Sequence, residues 1–444
     1  MRYPRLPLVV LWLAAAPSMG GERLTLLEAM QRGRENAHEV GAAKARAEAG
    51  GERVRQARGF RLPALHLEEN FIRTDSPAEV FALELNQERF SFAEFTASDP
   101  NHPSPLNTAV TRAELTLPLY TGGELSTRVG QAEAGAKAAN DSATWAGNQS
   151  AFGAAQAYVA VSQAQEYAGL LEESRKTIQA HVELARNYVE QGMLVRSELL
   201  RAEVEMARIE DMLAQARGNA RIAAANLAFR VGADQSTEWQ LATLAFPAAP
   251  RDDLAGWLAS ASGRPDLAAA RSLVHAGELE VSTRRAAFLP RVGIVARGDL
   301  VDDHVFGHHG ESTAIMAQAS LNLFAGGSDR AAIRVAEWDA KAGQEDVARF
   351  GEGVQLEVRQ AWEEAATARA RQATAARAVN AAREAERIVS ERFSTGVVKM
   401  LDLLDAATAR REAETRELVA RAEANTAVLR LALVAGRRPE EALP

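Results

Sequence analysis

The chain lacks cysteine and has few aromatic residues and prolines. Its 444 residues include no cysteine, 15 prolines and 6% aromatic residues. The absence of cysteine excludes disulfides, thiolate metal sites, cysteine nucleophiles and a lipid anchor on cysteine. A composition rich in Ala, Glu and Arg but poor in aromatics favours long helices over a thick globular core.

An excess of positive charge is also missing. The formal net charge is −8, so the chain has no basic footprint for a phosphate backbone, and we expect no nucleic-acid partner. The sequence has no glycine-rich phosphate loop, no nucleophile elbow and no carboxylate pair in a plausible cleft. We therefore expect neither an enzyme nor a bound cofactor.

Long hydrophobic runs are confined to the N-terminus. Arg2 and Arg5 precede an uninterrupted apolar run at residues 6–16, and small residues follow at 18–20. This pattern predicts a secretory signal peptide over residues 1–20, with a buried N-terminal helix as the alternative. No later stretch of about 18 apolar residues predicts a transmembrane helix, so contact with a membrane would have to use strands.

The chain repeats itself. The motif LPLYTGG begins at Leu117 and LNLFAGG begins at Leu321, an offset of 204 residues. The same offset carries Gly192 onto Gly396. Upstream of the motifs the offset is 227 residues, which indicates an insertion of 23 residues in the first copy. The sequence therefore predicts a tandem duplication.

Each copy is predicted to contain a helix, two strands around a loop, a very long helix, a tight turn and a returning helix. The first repeat covers residues 21–232, with strands at 60–72 and 107–120, a loop at 73–106 and helices at 125–190 and 196–231. A linker at 233–253 leads to the second repeat at 254–444, with helices at 264–288, 328–393 and 400–435, strands at 290–300 and 312–324 and a loop at 301–311. The fold class is mainly α with a small β part.

The second strand of the first copy alternates in polarity. Leu115, Leu117 and Leu119 share one face, whereas Arg112 and Glu114 share the other. This period of two is typical of a sheet with one oily and one wet side. Ordinary hairpins packed on helices are the alternative interpretation.

Proline, glycine and aromatic residues mark the ends of the strands. Pro63 and Pro290 stop a helix and start a strand, because proline lacks an N–H and disfavours helix in the preceding residue. Tyr120 and Phe324 suit an aromatic girdle at a membrane surface. Two glycines follow each second strand and permit the turn into the long helix: Gly122, Gly123, Gly326 and Gly327.

Four strands cannot form a closed sheet alone. A bilayer tolerates no open sheet edge, and the smallest bacterial barrels have about eight strands. We therefore expect other copies of the chain to complete the sheet, as a dimer of eight strands or a trimer of twelve.

The duplicated plan of helix, strand pair, two glycines, long helix, glycine turn and returning helix is similar to that of the TolC-type outer-membrane efflux proteins. The stretch GVVKMLDLLDA at 396–406 resembles that family's pattern at the periplasmic tip. The resemblance implies a homotrimer in which a twelve-stranded outer-membrane barrel continues into the periplasm as a coiled-coil helical tunnel. It also implies a passive duct for substrates that an inner-membrane transporter and a periplasmic adaptor deliver.

The resemblance further assigns acids to a periplasmic aperture. Asp402 and Asp405 take the positions of the gate acids, and Glu198 stands where the first repeat often has an acidic residue. Asp402 and Asp405 are three residues apart, so they share one side of a helix, and threefold symmetry would make six carboxylates around a pore. The alternative is that Asp402 caps its helix and Asp405 is a solvated surface charge.

The resemblance places the tip turns and the adaptor-docking surface at two matching segments. They comprise Gly192, Met193, Leu194, Gly396, Val397 and Val398.

Two loops and one alternative function complete the expectations. The insertion at 73–106 is predicted to be an extracellular loop whose phenylalanines lie over the barrel mouth or plug it. The other loop contains DDHVFGHHGE, and His304, His308 and His309 are weak candidates for a metal site.

The alternative function is that of a soluble periplasmic coiled-coil adaptor or scaffold. The sequence does not indicate the transported substrate.

Overall fold

The computed structural model describes residues 22–242 and 253–442. The predicted signal peptide and linker residues 243–252 lie outside the described residues. The chain divides into two compact units: unit 1 comprises Met1–Gly41, Trp145–Arg264 and Val354–Pro444, and unit 2 comprises Ala42–Thr144 and Pro265–Gly353. Among the described residues, no helix has the length and apolar character needed to cross a membrane.

Helices dominate the described chain. The helices are α1 (Leu26–Asn36), α2 (His38–Gly59), α3 (Pro77–Asn86), α4 (Phe92–Ala97), α5 (Glu124–Glu190), α6 (Arg196–Val231), α7 (Leu254–Ala261), α8 (Pro265–Arg285), α9 (Ser328–Ser394) and α10 (Met400–Val434). Short 3₁₀ helices cover Ala286–Phe288 and Pro439–Ala442. The strands are β1 (Glu22–Leu24), β2 (Ala64–Thr74), β3 (Leu106–Tyr120), β4 (Trp239–Leu241), β5 (Arg291–Asp302) and β6 (Gly310–Ser320).

Unit 2 contains a four-stranded antiparallel sheet in the order β2-β3-β5-β6. Each repeat contributes one hairpin, and β3 pairs with β5 to join them. Ala113 is the partner of both Leu67 and Gly298, and Gly298 is in turn the partner of Thr313. Within the described residues, β2 and β6 are the two edges of this sheet.

The strands differ most from the predicted bounds at two ends, by four residues at each. The strand predicted to reach Phe324 ends at Ser320, whose partner is Arg291. Residue 290 is a proline, which has no N–H to continue the ladder. The strand predicted from residue 60 begins at Ala64, because the backbone of Leu62 still donates to Gly59 in a turn (2.9 Å).

The insertion at 73–106, which the sequence predicts to be an extracellular loop, connects β2 to β3. It contains α3 and α4, and Pro77 occupies the first turn of α3, where its missing N–H costs nothing. Phe81 packs edge-on against Phe90 with ring centroids 5.2 Å apart, and Phe95 lies 5.7 Å from Phe90. The phenylalanines therefore form a local cluster that stabilises two short helices.

The helical segment before each hairpin is broken in two. In the first repeat α1 ends and α2 begins around Ala37, whose backbone is extended (ψ 132°). In the second repeat the helix predicted from residue 264 begins at Pro265, after the separate helix α7. Proline at the first helical position explains this break.

Unit 1 has a small parallel sheet beside its helices. β4, within the predicted linker, pairs with β1. The Tyr158 hydroxyl lies 3.1 Å from the Leu24 carbonyl and 2.8 Å from the Ala242 carbonyl. Burial raises the pKa of Tyr158 to about 12. Trp239 donates from its indole N–H to the Ala224 carbonyl (3.1 Å), which holds the β1–β4 pair on α5 and α6.

Helix α6 packs along one apolar stripe. The residues that recur at alternating spacings of three and four are all buried or half-buried: Leu199, Ala202, Met206, Ile209, Leu213, Ala216, Ala220, Ala223 and Leu227. Small alanines in such a seam let neighbouring helices approach closely.

Candidate functional site

Two glycine turns in unit 1 join the long helices to the returning helices with the same geometry. Gly192 after α5 has φ 74°, and Gly396 after α9 has φ 76°. The backbone N–H of Met193 donates to Tyr188 (2.8 Å), and that of Val397 donates to Arg392 (3.0 Å). These bonds close a Schellman motif, which requires a left-handed residue that glycine supplies without steric cost.

The two turns share one hydrophobic core. Tyr188 stacks on Phe393 with ring centroids 6.1 Å apart and an angle of 27° between the planes. Leu194 and Val398, one from each turn, pack against the same cluster as the buried Met400. The structure therefore brings together the two tip segments that the sequence predicted separately.

Other residues of the turns are exposed. Met193 is 61% exposed, Val195 64% and Val397 71%. Exposed apolar side chains that form a contiguous patch can mark a contact surface. Whether they contact an adaptor stays a prediction.

The predicted aperture acids lie at the starts of the returning helices. Asp402 and Asp405 are exposed on the first turns of α10. One carboxylate oxygen of Asp402 accepts a hydrogen bond from the Lys399 backbone N–H (2.9 Å). Asp402 therefore caps its helix, as the alternative interpretation of this residue proposed. Glu198 is half-buried near the start of α6 and lies 3.8 Å from the Arg201 guanidinium.

Buried ion pairs join α10 to α6 and α9, the helices that lead into and out of the turns. Arg411 on α10 is only 5% exposed and contacts Glu205 on α6 (3.0 Å). Arg410 contacts Glu386 on α9 (2.9 Å). Burial raises the pKa of Glu386, although Arg410 opposes this effect. Burial, and secondly Arg410, lower the pKa of His181 on α5.

Sequence reasoning missed these pairs, although a signal was present. Arg411 follows Leu404 and Ala407 at the spacing of the buried stripe, and Leu418 continues that stripe. A charged residue at a core position of a helix predicts a paired partner, because an unpaired buried charge is strongly unfavourable.

The sheet in unit 2 separates apolar from polar side chains. The apolar face is uncovered, with Leu65 74% exposed, Leu67 65% and Ile315 82%. On the opposite face, Arg112 donates to both carboxylate oxygens of Asp299 (2.7 and 3.1 Å). A soluble sheet would bury its apolar face, so this arrangement is typical of a sheet that meets lipid.

The two predicted girdle aromatics differ in position. Tyr120 is the last residue of β3 and is 46% exposed, whereas Phe324 lies beyond the end of β6 and is 83% exposed. The turns after them match, with φ of 67° and 86° at Gly122 and Gly123 and 64° and 86° at the corresponding glycines of the second repeat. A role for Tyr120 and Phe324 at a membrane surface stays a prediction.

The histidine-rich loop holds a smaller cluster than the sequence suggested. Ligand atoms of Asp302, Asp303 and His304 lie within 4.8 Å of one another. Arg89 from the insertion contacts Asp302 (2.9 Å) and Asp303 (2.5 Å), so a guanidinium already offsets part of the negative charge of these carboxylates. A hydrogen bond to Asp303 raises the pKa of His304. His308 lies outside this three-residue group. The arrangement fastens the insertion to the β5–β6 loop.

Comparison with known protein families identifies the class of this chain. The sequence profile described as "Outer membrane efflux protein" matches residues 29–233 and 259–437, which is most of the chain. The chain belongs to the outer membrane efflux protein family. The predicted resemblance and the outer-membrane localisation are therefore confirmed. The family and the fold are those of channel proteins, so the alternative of a soluble adaptor is set aside.

Two characterised proteins are similar in sequence to part of this chain. It is 26% identical over 259 residues to the outer membrane efflux protein BepC of Brucella suis, covering 57% of this chain and 56% of BepC. It is 25% identical over 289 residues to the alkaline protease secretion protein AprF of Pseudomonas aeruginosa, covering 63% of this chain and 60% of AprF. The chain thus spans less than two thirds of the length of either relative.

Solved structures of outer-membrane channels share the fold of this family member. The Campylobacter jejuni channel CmeC superposes with a TM-score of 0.78 at 14% identity, covering 93% of this chain and 85% of CmeC. The Vibrio cholerae protein VceC gives a TM-score of 0.75 at 20% identity, covering 93% of this chain and 96% of VceC. At such low identities the similarity establishes the fold alone.

Proposed function

We propose that three copies of this chain form the outer-membrane channel of a tripartite efflux or export system. The twelve strands of the trimer close a barrel in the outer membrane, and the helices continue it as a periplasmic tunnel. An inner-membrane transporter and a periplasmic adaptor deliver the substrate, which passes through the duct without chemistry.

The observation that carries this proposal is the uncovered apolar face of a sheet whose edge strands, β2 and β6, have no further partner among the described residues. Leu65 and Leu67 on β2 and Ile315 on β6 expose most of their surface. A lipid-facing sheet must satisfy its edge N–H and C=O groups, because the hydrocarbon core offers no hydrogen-bonding partner. Pairing of β2 in one copy with β6 in the next supplies those partners and closes the barrel.

The paired turns of unit 1 serve as the aperture and docking surface in this proposal. Asp402, Asp405 and Glu198 narrow the opening with negative charge, and a threefold arrangement of Asp402 and Asp405 concentrates six carboxylates. The exposed side chains of Met193 and Val397 offer the adaptor an apolar contact at each turn. Opening then requires the helices around Gly192 and Gly396 to shift apart, so the core that the two turns share must rearrange.

Copy-to-copy strand pairing can be tested by crosslinking, because the chain has no native cysteine. His66→Cys in β2 is combined with Ala314→Cys in β6, and the second site is also moved to Ser312 or Met316. Outer-membrane fractions are treated with a short thiol crosslinker and run on denaturing gels. At the matching register, we expect covalent dimers and trimers with no larger species, because three copies close the ring.

The single-cysteine variants are the matched controls and should remain monomeric under the same conditions. Covalent dimers without trimers would instead indicate an eight-stranded closure. A purified protein that stays monomeric and dissolves without detergent would contradict the proposed channel.

A further inference from the structure

The polar face of the unit 2 sheet carries ionisable side chains at two adjacent levels, which we call the charge belt. The charge belt comprises His66, Glu68, Arg112, Glu114, Arg297 and Asp299. His66, Glu114 and Arg297 are cross-strand partners at one level, and the other three are partners at the next, about 7 Å away along the strands. On β6 the partner positions are Ala314 and Ser312, so the charge belt ends there.

The charges alternate in sign from strand to strand at the level of Glu68, Arg112 and Asp299, and one pair is held rigidly. Arg112 forms a two-pronged ion pair with Asp299, at 2.7 Å from Nε to Oδ1 and 3.1 Å from Nη2 to Oδ2. The Arg297 Nε lies 3.9 Å from Oδ2 of the same carboxylate. Bidentate pairs of this kind fix both side chains on the polar face of the sheet. Asp299 is therefore neutralised in place.

Two carboxylates of the belt are not neutralised in this way. Glu68 is exposed and accepts a hydrogen bond from the neutral amide of Asn70 (2.9 Å). Glu114 is half-buried, between His66 and Arg297 in the cross-strand row. With His66 neutral, the belt has three carboxylates against two guanidiniums, an excess of one negative charge in each copy.

We propose that the charge belt is an ion-selectivity element of the pore, which favours cations through Glu68 and Glu114. This inference rests on the proposed function, because the polar face lines a water-filled lumen only when the sheet closes. Charges act over about 8 Å at physiological salt, so the belt influences ions that pass close to the wall. It acts independently of the aspartates at the aperture.

The test measures reversal potentials of single channels in planar bilayers under a KCl gradient. The variant Glu68→Gln/Glu114→Gln removes the two carboxylates with little change in shape. We expect the ratio of K⁺ to Cl⁻ permeability to fall about twofold or more. Ser312→Asp extends the belt onto β6 and should raise the ratio, which gives a second readout if the first variant does not assemble.

Glu69→Gln is the matched control. Glu69 adjoins Glu68 but lies on the opposite face, where it accepts hydrogen bonds from the Thr111 hydroxyl and the Phe306 N–H. The amide oxygen of glutamine can accept the Phe306 N–H, and its NH2 group can donate to the Thr111 hydroxyl. The permeability ratio should therefore keep its original value. An equal shift in this control would overturn the inference, because the effect would not depend on the polar face.

The failure of the inference can be told apart from failure of the proposed function. Channels that conduct but keep their permeability ratio in both belt variants would contradict the charge belt alone. An unaltered protein that assembles in the outer membrane but forms no conducting pore would contradict the proposed channel and the inference together.

Discussion

Asp402 caps its helix and is also the proposed aperture charge, and substitutions can separate these two roles. Its carboxylate accepts the Lys399 N–H at 2.9 Å. Asp402→Asn keeps an oxygen acceptor but removes the charge. Asp402→Ala removes both. Asp405→Ala is the matched control. Asp405 lies one turn further along α10, so this substitution removes a charge of the same sign but leaves the helix cap at Asp402 intact.

The expected magnitudes follow from these contacts. Loss of a helix cap costs about 1 kcal/mol, so the alanine variant of Asp402 should be less stable than the asparagine variant by about that amount. For the aperture, all three substitutions remove three carboxylates from a trimer. A pair of unit charges 4 Å apart in water is worth about 1 kcal/mol. We therefore expect block of the channel by a trivalent cation to weaken at least about tenfold in every variant.

The assay combines thermal unfolding with single-channel recording. The melting temperature should be lower in Asp402→Ala than in the other two variants. Block of the channel by the trivalent cation should be weakened in all three. If Asp402→Asn and Asp405→Ala both retain the original block, the aperture assignment is wrong and Asp402 is a helix cap alone.

Three further predictions concern the packing of unit 1. Gly396→Ala should destabilise the protein by about 1–2 kcal/mol, because φ is 76° at this position, and thermal unfolding measures the loss. Tyr158→Phe should cost about 1 kcal/mol in the same assay, because the Ala242 carbonyl loses its hydroxyl donor (2.8 Å). His181 has a lowered pKa, so its contribution to stability is present above its ordinary pKa of 6.5 and is lost as the pH falls through the lowered value. His181→Gln should therefore reduce the fall in melting temperature between about pH 7.5 and about pH 5.

Each of these predictions has a control and a contrary outcome. Gly218→Ala on α6 meets open space at its Cβ and should be neutral or stabilising. Equal effects at Gly218 and Gly396 would contradict the role of the left-handed turn. An unchanged melting temperature in Tyr158→Phe would show that the hydroxyl adds nothing to the β1–β4 packing. His38 is exposed, so His38→Gln should keep the full acid sensitivity, and equal behaviour of the two histidine variants would refute the assignment to His181.

Much of the fold could be predicted because its signals are local. The two long helices lie within a residue or so of their predicted bounds, since proline-free, alanine-rich segments favour helix without any partner. The turns at Gly192 and Gly396 were also predictable, because a left-handed backbone almost requires glycine. The alternating polarity of β3 likewise indicated one apolar and one polar face.

What only the tertiary structure decided depends on contacts between segments far apart in the sequence. The early end of β6 at Ser320 follows from its partner strand, which Pro290 prevents from extending. The pairing of Arg89 with Asp302 and Asp303 joins an insertion of the first repeat to a loop of the second. The position of the Lys399 N–H showed that Asp402 caps its helix, whereas its role as a gate charge stays a prediction.

The sequence by itself determined the duplication, the kinds of element, their turns and the family, because each of these depends on the order of neighbouring residues. The tertiary structure decided which charges pair, which apolar residues remain uncovered and which strands form the edges of the sheet. Those properties depend on register and packing, and residues such as Arg112 and Asp299 are 187 positions apart in the chain.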